Sequence, residues 1–169
     1  ICPETKFLIS SEYSKTRGSQ NIKAVYFAFT AGQASDIKVT SAKLTGYVSE
    51  DTSAAGFTVK EDGAVHIQEV VPTLKIYDGD GNQIGTQSKS FGSSDGAATF
   101  SSLNWTIEAG QTEQLVVYVN VDRTVTPQGL NDDSFAVNFA ANADITAQDE
   151  SGNNVAATGA ALANGTAST

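Results

Sequence analysis

The chain has 169 residues, 40% hydrophobic and only 17% charged, which is enough to bury roughly two-thirds of its unfolded surface in one domain without a metal or a disulfide. Nineteen acidic side chains against ten basic ones give a formal net charge of −9, and the basic ones are scattered. Phosphate neutralisation needs clustered Lys and Arg, so the balance excludes nucleic acid as a partner.

Gly, Ser, Thr, Asn, Asp and Val recur along the whole length, a composition of strands and exposed turns rather than long helices. Numbering that opens on Ile1 reads as a mature chain whose leader has been removed, and no apolar run approaches the roughly 18 residues of a membrane span. The expectation is an extracellular or cell-surface protein with no span. Cys2 stands alone and cannot form an internal disulfide.

In chain order, residues 5–13 are β-prone and are followed by a flexible break over 15–20. This segment reads either as the domain's own first strand or as a strand inserted into the next subunit. In the second case Phe7, Leu8, Ile9 and Tyr13 are the assembly residues. Val25, Phe27 and Phe29 then alternate with Ala24, Tyr26, Ala28 and Thr30, the period of a half-buried strand. Ile37 and Val39 start another, but Ala42, Leu44 and Val48 continue it in shifted phase, so a bulge is expected near Ser41.

Phe57 and Val59 face Val65 and Ile67 across Glu61-Asp62-Gly63, a hairpin signal. Leu74 and Ile76 begin a strand that stops at the turn over 77–82 and resumes at Ile84. Ala98 and Phe100 precede a second phase shift, at Ser101-Ser102, after which Leu103, Trp105 and Ile107 share a face up to a turn at 108–111. Leu115, Val117, Val119 and Val121 form the strongest strand, apolar on both faces at first, as for the centre of a sheet. Phe135, Val137 and Phe139 form another, and Ala143, Ile145 and Ala147 one more before a turn at 149–154.

Strands at this spacing, with no sustained 3.6-residue period, predict an all-β protein: a single Ig-like or jelly-roll β-sandwich. Its expected organisation is an N-terminal strand and break over 1–20, the sandwich over 21–155 and an Ala/Gly/Thr-rich tail over 156–169, with no internal repeat.

The phrases "VYFAFTAGQASDIKVTSAKLTG", "LKIYDGDGNQIG", "ATFSSLNWTIEAGQTEQLVVYVNVD" and "DITAQDESGNNV" together resemble a domain pattern of bacterial and archaeal cell-surface proteins, over residues 22–155 or so. The resemblance implies an Ig-like β-sandwich serving as a structural module of surface layers, adhesins or fibres. The order strand, break, sandwich is similar to that of donor-strand pilins and biofilm matrix fibres.

Asp78, Asp80 and Asn82 have the alternate-residue spacing that opens an EF-hand calcium loop, which makes Ca2+ a candidate ligand. Position twelve of such a loop is Lys89 rather than Glu, and a tight turn using Gly and Asn explains the same residues. His66 alternates with Val65 and Ile67 and is expected on an outer face; no nucleophile-elbow G-x-S-x-G occurs, and Cys2 has no neighbouring base. These features argue against an enzyme. Trp105, Tyr77 and Tyr118 are candidates for an aromatic glycan platform, although Trp105 shares its face with core residues. Asn104 and Asn164 head N-glycosylation sequons.

The expectation is a structural subunit of an extracellular filament or surface layer, a homopolymer assembled by β-strand complementation. The alternative is a secreted carbohydrate- or ligand-binding module.

Overall fold

Residues 18–49, 58–62, 65–122 and 134–159 are described in a computed structural model. The period-two segments form β1 (Ile22–Thr30), β2 (Ile37–Ser49), β3 (Thr58–Val59), β4 (Glu61–Asp62) and β5 (Val65–His66), followed by a one-turn helix, α1 (Ile67–Val70). Then come β6 (Thr73–Asp78), β7 (Ala97–Ile107), β8 (Thr112–Asn120), β9 (Ser134–Asn138), a 3-10 turn (Asn142–Asp144), β10 (Ile145–Asp149) and β11 (Asn154–Ala156).

β8 lies at the middle of one antiparallel sheet, in the order β1-β8-β6. This agrees with its apolar character on both faces: Leu115 and Val117 point into the core, and Val116 is buried on the opposite side. The second sheet is built on β2. One side of β2 pairs with β10 and then β9, the other with β7 and then β3, and β11 lies outside β10. The two sheets give the expected all-β sandwich. Their inner faces meet in one core, where Phe27, Phe100, Leu44, Leu74, Ile76 and Leu115 are essentially without exposure.

Both expected phase shifts are bulges in the second sheet. Val39 faces Trp105 and Ser41 faces Ser101, so residues 102–104 of β7 oppose Thr40 alone. Ser102 takes a left-handed φ of 56° at this point. The extra residues turn Leu103, Trp105 and Ile107 back to the face used by Ala98 and Phe100. Against β10, the register slips at the same place, and the Thr40 hydroxyl donates to the Thr146 carbonyl at 3.1 Å.

The hairpin expected between Phe57/Val59 and Val65/Ile67 does not form: Val59 pairs with β2, and Glu61 and Asp62, expected in the turn, are strand residues of a smaller hairpin one step further on. Glu61 pairs with His66 and Asp62 with Val65, and the two positions between them lie outside the described residues. Ile67 is not a strand residue. It opens α1 and is fully buried, because β2 carries Gly46 where a side chain would otherwise stand. A Cβ on Gly46 would lie 2.4 Å from Ile67 Cγ1 and 3.0 Å from Phe91 Cε1. Val59 pairs with Tyr47 at the margin of the second sheet and is 45% exposed. Ala143 likewise falls in the 3-10 turn, and its strand begins at Ile145.

After the 78–82 turn the chain runs back along β6. The Ile84 amide donates to the Ile76 carbonyl at 2.9 Å, and Leu74 and Lys89 exchange bonds of 2.7 and 2.9 Å. This stretch covers the outer edge of β6.

Candidate functional site

Three regions carry the residues singled out above. The first is the β1 border of the three-stranded sheet. Residues 18–21 tie the incoming chain to the end of β8: the Gly18 amide donates to the Asp122 carbonyl at 3.3 Å, the Val121 amide to the Ser19 carbonyl at 2.9 Å and the Asn21 amide to Asn120 Oδ1 at 2.9 Å. The chain then enters β1 at the border of the sheet, and Val25–Thr30 run in unbroken register with β8. Val25, Phe27 and Phe29 point inward. Phe7, Leu8, Ile9 and Tyr13 lie outside the described residues.

The second region is one end of the sandwich. The turns after β1, β6, β7 and β10 gather there, because the start of β2 pairs with the ends of β7 and β10, and the start of β8 with the ends of β1 and β6. Asp36 Oδ1 accepts the Ala109 amide at 2.8 Å, and the Gly110 amide donates to the Gly32 carbonyl at 3.1 Å, which fastens two of these turns together.

The other two turns have the same construction. Asp78 Oδ1 accepts the amides of Asp80 and Asn82 at 3.0 and 2.8 Å, and Asp78 Oδ2 accepts Asn82 Nδ2 at 3.0 Å. Asp149 Oδ1 accepts the Asn153 amide at 2.8 Å, and Asp149 Oδ2 accepts Asn153 Nδ2 at 3.0 Å. Gly81 and Gly152 close the two turns at φ of 88° and 80°. This Asp-x-x-Gly-Asn recurrence is legible at equal spacing in the sequence, yet it is too short to register as a repeat.

The turn geometry also bears on Ca2+. Both Asp78 oxygens accept donors of their own turn, as the tight-turn reading of Asp78, Asp80 and Asn82 expects, and no group of three or more His, Cys, Asp or Glu side chains gathers there or elsewhere among the described residues. Slight burial works against ionisation of Asp78. Hydrogen bonds from the Asn82 side chain and amide, and from the Asp80 and Gly81 amides, nevertheless hold its carboxyl below the usual range. The Asp149 carboxyl is lowered by the Asn153 side chain and amide, with smaller help from the amides of Ser151 and Gly152.

The third region is the outer face of the three-stranded sheet. Tyr118 lies between Lys23 and Lys75, and the next row is Tyr26, Val116 and Tyr77. Tyr77 and Tyr118 meet edge to face at 4.9 Å, and Lys23 Nζ lies 5.1 Å from the Tyr26 ring centre. Trp105 belongs to the core instead, 7% exposed and edge-on to Phe29 at 5.7 Å, so the three aromatics do not form one platform.

Asn104 and Thr106 are exposed on the outer side of β7, with Trp105 between them turned inward; Asn164 lies outside the described residues. His66 is half-buried, opposite Glu61 in the small hairpin. No helix among the described residues is long and apolar enough to cross a membrane. No protein-family model, curated protein or solved structure matches the chain.

Proposed function

We propose that the chain is a structural module of an extracellular filament or surface layer, and that it assembles when residues 5–13 of one copy add as a strand along β1 of the next. The observation that supports this reading is the position of β1. Among the described residues it borders the narrower sheet, three strands across against four strand positions in the sheet facing it, and presents Val25, Phe27 and Phe29 toward the core beside that border. A strand laid there adds main-chain hydrogen bonds and places alternate side chains, here Phe7 and Ile9, next to the same core. Three other borders of the described strands are less suited. β7 is broken by the bulge at Ser102, the β6 edge is covered by residues 83–89, and β11 has three residues. A head-to-tail contact of this type does not close on itself and generates a fibre.

The experiment compares the full chain with a chain lacking residues 1–13, by negative-stain microscopy and sedimentation, with and without a synthetic peptide of residues 4–14. Polymers of the full chain, a monomeric truncated chain and saturable binding of the peptide to it are expected. Equal polymerisation of both chains, or a full chain that stays monomeric at high concentration, overturns the proposal.

A further inference from the structure

Lys23, Tyr118 and Lys75 are direct cross-strand partners, so their side chains form one row across the outer face of the three-stranded sheet. Two strand spacings, roughly 9–10 Å, separate the two lysine backbones, with the tyrosine midway. The adjacent row closes over an apolar floor. Val116 is outside the core cluster and yet only 4% exposed, because Tyr26 and Tyr77 flank it on either side. In a chain with nineteen acidic and ten basic side chains, this face is a local reversal of charge built around half-exposed tyrosines.

We propose that this face binds an acidic polysaccharide. Tyrosine offers the apolar C–H face of a pyranose ring a flat, rigid partner and keeps a hydroxyl for its rim. Lys23 and Lys75 are far enough apart to meet carboxylates on two different sugar rings while the ring between them rests on Tyr118. Spacing and charge together select a uronic-acid chain over a neutral glycan. The binding face is the outer surface of β1, β8 and β6, whereas strand addition uses the lateral border of β1, so the proposal stands whether or not the chain polymerises.

The test titrates the full chain with oligogalacturonates and with the same oligomers fully methyl-esterified, by calorimetry and by amide chemical shifts. The variants are Lys23→Gln, Lys75→Gln, the pair together, and Tyr118→Ser, each checked for an unchanged far-ultraviolet spectrum. Expected are shifts centred on Lys23, Lys75 and Tyr118, binding at least tenfold weaker for the ester and for the double lysine variant, and affinity that falls as salt rises. The proposal is overturned if ester and acid bind alike, if the double variant binds as the parent does, or if no acidic oligosaccharide, alginate fragments included, shifts these residues. It is also overturned if the double variant loses self-association rather than sugar binding, because the face then serves a second copy of the chain.

Discussion

Phe27 of β1 and Phe139, the residue after β9, meet between the two sheets with ring centres 4.5 Å apart and planes inclined at 56°. Phe29 extends the cluster, edge-on to Phe139 at 6.1 Å and to Trp105 at 5.7 Å. These rings join the border strand of one sheet to the strands of the other, and each is almost completely buried. Phe139→Ala is expected to cost about 3–5 kcal/mol in urea unfolding, from lost burial together with the cavity left behind. A double-mutant cycle with Phe27→Ala should return a coupling of about 0.5–1.5 kcal/mol. Costs that simply add would show that the two rings do not interact.

Gly46 presents the opposite case, a site where added volume is harmful. A methyl there must displace Ile67 and Phe91, both buried, so Gly46→Ala should destabilise by about 1–3 kcal/mol. Removing the carbon it meets in the same chain, Gly46→Ala with Ile67→Ala, should recover part of that loss. A double variant less stable than the two single costs combined would contradict the packing account.

Ser102 holds a left-handed backbone that a side chain disfavours, and it is exposed. Ser102→Gly is therefore expected to raise the unfolding free energy, by up to about 1 kcal/mol, and Ser102→Val to lower it. Thermal and urea midpoints of the two variants check the sign. If both variants lower stability, the hydroxyl has a role beyond the bulge.

Asp78 and Asp149 have carboxyls lowered in the folded chain by the donors of their turns. A group with a depressed folded value contributes stability that is present above its unfolded value, about 3.9, and is lost as pH falls through the folded one. The chain should therefore hold its stability at neutral pH and lose part of it below about pH 4. Asp78→Asn with Asp149→Asn should be less stable than the parent at pH 7, and the difference should shrink toward acid. Parallel stability curves from pH 7 to pH 2 would remove these two turns from the acid response.

Along single strands, a great deal was legible in the residues alone. Period-two patterning identified β1, β6, β7, β8 and β9, the breaks in that pattern near Ser41 and at Ser101-Ser102 fell within a residue of the bulges at Thr40 and Ser102, and the double-sided apolar run of Leu115–Val119 marked the middle of a sheet. These are local consequences of the pleat, which sends neighbouring side chains to opposite faces, so any shift in phase must be absorbed by an extra residue. Ile67 misled because a buried apolar residue looks the same on a strand and on a single helical turn; only the missing side chain at Gly46, distant in sequence, makes room for it there. Trp105 and Tyr118 show the same division. Each alternates properly within its strand, but which face of a sheet is covered depends on what packs across it. Tertiary structure alone sent Trp105 to the core, left Tyr118 between two lysines on the outside, and put β1 at a border. Strand pairing joins residues about ninety positions apart, and no spacing within a strand encodes which strand will lie beside it.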